Sequence, residues 1–226
     1  MSPLDDGEEA GLRVWPSITD LALSASLLIL LYVAAQFALS YEATVLALEM
    51  DERRKLLAAE MLAAVPEVQR TAVTISADGN LQRIAFADQL LFDSGKAVLK
   101  DTGKVVLTQV WQVLLRQSRL FERVQIEGHT DDQPLGPLSP FPSNWELSSA
   151  RATSVVRFLE DQSPNDAGLL SATGYSQFHP VDDSESEVAR ARNRRVEMVV
   201  VYSPQSILDE VLRDHAEPLS KVDVKP

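Results

Sequence analysis

The sequence predicts an α/β domain of the α+β kind, a mixed sheet with helices packed on one face, preceded by a single transmembrane helix. Three observations predict it. A dense apolar block runs from Leu21 to Leu39, long enough to cross a bilayer. After Pro66 the hydrophobic spacing changes from helical to alternating. From there, short strand-like runs alternate with amphipathic stretches, as they do where helices layer onto a sheet.

The bulk composition removes several function classes. Of the 226 residues, 45% are apolar, which is ordinary for a globular chain and unlike a disordered one. The net charge is −12, with no long Lys/Arg run, so the basic footprint of a nucleic-acid binder is missing. With no cysteine, thiolate zinc sites, redox pairs and a Cys nucleophile are excluded, while the compartment stays open.

Residues 1–16 form an acidic tail (Asp5, Asp6, Glu8, Glu9) in which Arg13 is the only basic residue. Trp15 sits where an interfacial aromatic belongs, and Pro16 suits the first turn of a helix. A helix over residues 17–39 would be about 34 Å long, enough for a hydrocarbon core of about 30 Å. Its ionisable side chains are Asp20 and the phenol of Tyr32. A cleaved signal peptide ending near Val33-Ala34-Ala35 is disfavoured, because the preceding tail is acidic and the apolar run continues past Ala35.

Asp20 has two readings. Seven Leu with Ile29, Val33 and Phe37 offset one Asp at about +3 kcal/mol, so it could be a tolerated boundary residue. It also shares one helix face with Ser17 and Ser24, spaced i, i+3, i+7. Such a face turns towards protein or a wet cavity, where a carboxylate could take and release ions. Ala22 and Ser26 form a small-xxx-small pair suited to close helix approach. Arg53, Arg54 and Lys55 follow the span while only Arg13 precedes it, so the positive-inside rule argues for an external N-terminus.

Residues 40–70 read as a helical linker closed by Pro66, with Leu46, Met50, Leu57, Met61 and Leu62 at helical spacings for a dimer seam or an amphipathic arm. Residues 71–203 form the folded domain, and 204–226 a tail with one amphipathic stretch (Ile207, Leu208, Val211, Leu212). In the domain, strands are predicted over 72–76 and 81–86, joined by the turn Asp78-Gly79-Asn80. A helix follows over 98–117, a strand over 123–128, a helix over 144–161, and strands over 171–175 and 195–202. Ser143 and Glu146 make an S-x-x-E start for the second helix. Asn144, Leu147 and Arg151 then share a face, and the strand-end loop Gly128-His129-Thr130-Asp131 precedes them. A carboxylate on that loop facing Arg151 could be a structural salt bridge, or a receptor for a ligand carrying both signs of charge.

Four segments in register resemble the OmpA-like peptidoglycan-binding domain: Leu91-Phe92-Asp93-Ser94-Gly95, Ile126-Glu127-Gly128-His129-Thr130-Asp131-Asp132, Asn144-Trp145-Glu146-Leu147-Ser148-Ser149-Ala150-Arg151-Ala152 and Asn193-Arg194-Arg195-Val196-Glu197. Within that family, the run from Phe141 to Ser148 looks like the stator type, MotB and its relatives, and Asp20 matches their membrane aspartate. The acidic tail, the Leu- and Ser-rich span and the short linker depart from the flagellar pattern.

The resemblance implies a homodimer inside a ring of multi-span MotA- or ZorA-like channel subunits, driven by ions passing Asp20. The motor could be flagellar, gliding or, as in ZorB, anti-phage defence of the Zorya type. It also implies that Asp131 and Arg151 hold the diaminopimelate end of the peptidoglycan stem peptide, with Thr130, Asn144, Leu147 and Arg194 lining the same pocket. Because the wall lies outside, the domain would be periplasmic and the N-terminus cytoplasmic, in the bacterial inner membrane. A passive envelope-to-wall tether is the alternative. No enzyme, cofactor or metal site is expected: His129, His179 and His215 lack ligand spacing, and no nucleophile or phosphate motif is present.

Overall fold

The computed structural model describes residues 8–210 and 213, with side chains for 19–41, 44, 45, 47–210 and 213. The chain divides into two compact units, Met1–Glu49 and Met50–Pro226. The first is helical, formed by the N-terminal part of α1 (Glu8–Ala64). Within it Thr19–Tyr41, counted over the described residues, is long and apolar enough to span a membrane. Its leucines stand exposed, as a lipid-facing helix requires. Pro16 falls inside α1 instead of in its first turn. The side chains of Trp15, Ser17 and Leu46, and the C-terminal Val211, Leu212 and His215, lie outside the described residues. Ser24 spends its hydroxyl on its own helix, donating to Asp20 O at 2.8 Å.

In the second unit, α1 closes at Ala64 ahead of Pro66, and the sheet follows. It comprises β1 (Val73–Asp78), β2 (Leu81–Ala87), β3 (Phe121–His129), β4 (Leu170–Gly174) and β5 (Arg195–Tyr202), in the order β1-β2-β5-β3-β4. β3 and β4 run parallel and the other neighbours antiparallel, so the sheet is mixed, as the alternation of elements implied. Gly79, at φ 56°, makes the hairpin turn between β1 and β2. β5 is central and buried along its whole length, which explains its near-continuous valine run.

Cross-strand register separates two faces. Ile84, Met198 and Ile126 share one row, and Phe86, Val196 and Gly128 the next. This face is apolar, and the long helices α3 (Asp101–Leu115) and α4 (Asn144–Gln162) cover it with Val106, Val110, Trp111, Leu114, Leu147, Val155 and Leu159. The opposite face carries the rows Ala85–Glu197–Glu127 and Ala87–Arg195–His129. There Glu197 accepts from Arg195 at 2.5 Å and from Arg83 at 3.0 Å, and Arg83 also reaches Glu127 at 3.3 Å. Two shorter helices, α2 (Asp88–Leu91) and α5 (Glu187–Asn193), escape the sequence reading, being too short to show a period. α5 borders the charged face, away from α3 and α4.

The folded unit begins earlier than residue 71. Met50, Leu57, Met61 and Val65 are buried, so these positions of the expected linker join the core instead of standing free as a dimer seam. Arg54 donates to Gly79 O and its carbonyl accepts from Gln82 Nε2 at 3.2 Å. Lys55 pairs with Asp51 at 2.7 Å. Arg54 and Lys55 are thus engaged by partners within the folded unit.

Candidate functional site

Five segments converge on one open cavity of about 930 Å³. β2 delivers Asp88, at the first position of α2. The loop after α2 brings Phe92 and the backbone of Lys96, with Gly95 at φ 67° turning the chain. The end of β3 supplies Thr130 and Asp131, α4 supplies Asn144, Leu147 and Arg151, and Arg194 stands between α5 and β5.

α4 is well fixed. Ser143 Oγ accepts from Trp145 N at 3.1 Å and donates to Glu146 Oε2 at 2.5 Å, a bond that holds the Glu146 carboxyl below the ordinary range. The helix lies hard against the strand ends: a Cβ on Gly128 would come within 2.1 Å of Ser148 O, and one on Gly174 within 2.2 Å of Ser149 Oγ. Ser176, at φ 54°, accepts from Thr130 N at 2.9 Å and donates its own N–H to Ser148 Oγ at 3.1 Å. These bonds lock the β3-end loop to α4.

Arg151 is 2% exposed. Its Nε donates to Lys96 O at 2.9 Å, one Nη stands 2.8 Å from Asp88 Oδ1, and the guanidinium lies 5.2 Å from the Phe92 ring centroid. Asp131 instead accepts from Arg194 at 2.6 Å and from Gln133 N at 3.2 Å. Arg194 also reaches Glu187 at 2.8 Å. Asn144 Nδ2 tethers the loop through Asp131 O at 3.3 Å and Gln133 O at 2.9 Å, and Thr130 Oγ1 donates to Asp131 O at 3.0 Å.

All six residues named from sequence, Thr130, Asp131, Asn144, Leu147, Arg151 and Arg194, therefore line one cavity. Of the two readings open for Asp131 and Arg151, the direct salt bridge between them is not observed. Each has another mate: Arg151 pairs with Asp88 and Asp131 with Arg194. Asp88 was invisible from the sequence, where it is a single acid after a strand, outside any motif. Burial pushes its carboxyl up to about 6, against the opposing charges of Arg151 and Arg194. Burial also lowers Arg151 from its ordinary value, with Asp88 opposing. Burial would lower Arg194 too, yet Asp131 and Glu187 carry it above its usual range.

The cavity thus holds two matched pairs, Arg151 with Asp88 and Arg194 with Asp131, and Lys96 also lines it. That arrangement can exchange internal partners for those of a ligand bearing both charges. Behind it, Glu127, His129 and Glu197 have ligand-type atoms within 4.8 Å of one another. Arg83 and Arg195 already neutralise those carboxylates, and burial lowers the His129 pKa. A structural charge layer accounts for the cluster.

Residues 91–194 match the OmpA family model. Motility protein B of Bacillus subtilis is 33% identical over 118 residues, covering 52% of this chain and 44% of that protein; the chain thus matches less than half of that relative's length. A MotB-like protein of Desulfovibrio vulgaris superposes with a TM-score of 0.62 at 26% identity, over 70% of this chain and 99% of that one. The cell wall anchor of the T6SS from Pseudomonas aeruginosa does so at 0.56 and 31%, over 64% and 96%. The unit that carries the charged cavity is an OmpA-like domain with homology to motility protein B.

Proposed function

We propose that this chain is the B-type subunit of an ion-driven stator, anchored to peptidoglycan by its OmpA-like domain and carrying protons past Asp20. The observation that carries the reading is the single cavity in which Asp131, Arg151 and Arg194 gather, on a domain homologous to motility protein B and in one chain with an apolar helix bearing Asp20. In this reading a diaminopimelate carboxylate takes the Arg151 fork and its ammonium group takes Asp131. Thr130, Asn144, Leu147 and Arg194 shape the cavity around it. The domain is periplasmic, the N-terminus cytoplasmic, and two copies sit within a ring of multi-span MotA- or ZorA-like subunits.

A passive tether between membrane and wall is the second reading. It is favoured by the family match, which stops at residues 91–194 and leaves Asp20 outside, and by the likeness to a T6SS cell wall anchor.

One pair of variants tests both. Arg151→Ala should lose about 10- to 100-fold in sacculus binding, the equivalent of a charge-assisted contact of about 1.5–3 kcal/mol; undiminished binding by folded protein sinks the wall assignment. Asp20→Asn, at normal membrane abundance, should keep sacculus binding and abolish ion-driven work. Full function in that variant makes the tether the better account.

A further inference from the structure

Trp145 and Phe178 stack on one another with ring centroids 5.4 Å apart and planes at 28°, yet they remain 48% and 60% exposed. Side chains of that size usually bury most of their surface. Both are held in place from behind. Trp145 is the second residue of α4, and its backbone N–H is capped by Ser143. Phe178 follows a turn closed by its own N–H on Tyr175 O at 3.2 Å, and Ser176 N pins that turn to Ser148 Oγ.

The pair lines a shallow cavity of about 320 Å³, together with Asp132, Ser143 and Gln177. This cavity shares Pro134, Leu135 and Asn144 with the larger charged one. The two are therefore neighbours on one surface, divided only by residues that line both.

We propose that the Trp145–Phe178 pair is a saccharide platform, taking the pyranose face of the glycan strand whose stem peptide enters the charged cavity. The proposal rests on the peptidoglycan reading above. One face of a pyranose presents axial C–H groups with partial positive charge, which the electron-rich face of an aromatic ring attracts. Its hydroxyl and acetamido groups project from the edge and need polar partners, and Asp132 and Gln177 line the same cavity as the rings. Asp132 is held there by Arg190 at 2.8 Å. A docked protein would call for a broader apolar surface than two rings interleaved with acid and amide groups.

The test uses the full chain in detergent, titrated calorimetrically with three probes. These are a diaminopimelate-containing stem peptide, the same peptide on its GlcNAc–MurNAc disaccharide, and a peptide-free glycan of that disaccharide. The disaccharide-peptide should bind about five- to tenfold more tightly than the peptide alone. Trp145→Ala and Phe178→Ala should remove that gain and leave peptide affinity unchanged, while Trp145→Phe keeps most of it. The platform is overturned if the peptide binds with no gain from the sugar, or if Trp145→Ala with native melting behaviour retains the whole gain. If the peptide fails to bind wild-type protein, the charged-cavity reading falls, and the peptide-free glycan decides the platform by itself. Binding lost in Trp145→Ala supports it, and no binding overturns it.

Discussion

Asp88 and Arg151 stand 2.8 Å apart with little access to water, and for Asp88 the cost of burial outweighs its neighbours' attraction, so its pKa rises to about 6. Because the folded value exceeds the ordinary 3.8, the folded chain keeps a proton that the unfolded chain has already released. Asp88 therefore contributes stability that is complete below that ordinary value and is lost as the pH rises through about 6. In the proposed function the same titration would control a ligand carboxylate's access to Arg151. Above that pH the Asp88 carboxylate occupies the guanidinium, and below it a neutral carboxyl competes weakly with an incoming carboxylate. Stem-peptide affinity, measured calorimetrically, should rise severalfold as the pH falls from about 7.5 to about 5.5, while Asp88→Asn should be flat over that window. A wild-type affinity that falls with acid would remove Asp88 from this role. Arg151 and Asp131 could be named from sequence because they sit in recognisable motifs, whereas Asp88 acts through a contact between residues 63 positions apart.

Among the elements, α4 and the ends of β3 and β4 form the rigid frame of the site. The glycines there permit close approach of helix to sheet, and Gly128 is the tightest point. Gly128→Ala must push Ser148 backbone away or bend β3, at a cost of about 1–3 kcal/mol or more. The midpoint of urea unfolding should drop accordingly, and sacculus binding should weaken with it, since Thr130 and Asp131 follow directly. An unchanged midpoint would show that the frame yields easily. The sequence made most elements legible: the Asp78-Gly79-Asn80 turn, the Ser143 cap and the valine run of β5 each have a local cause. It did not reveal α2 and α5, whose four and seven residues carry no measurable period.

Across the whole molecule, the second unit takes its first core residues from α1. Met50, Leu57, Met61 and Val65 are each buried, and each is worth at most about 1.5–3 kcal/mol. A fragment of residues 50–210 should fold cooperatively, while 71–210 should unfold at much lower urea or aggregate through the exposed patch. Equal midpoints for the two would return those residues to the linker. The six cavity residues came from the resemblance to the OmpA-like domain; the sequence by itself determined the apolar span with its aspartate and the mixed sheet under long helices. The span and the sheet follow from periodicity and local capping, both of which act over a few neighbouring positions. Only the tertiary structure decided that the end of α1 belongs to the core, that α5 borders the charged face of the sheet, and that Asp88 rather than Asp131 holds Arg151. Those outcomes depend on which distant surfaces meet, and pairing across a sheet and burial of charge are set by the assembled fold, not by any one segment.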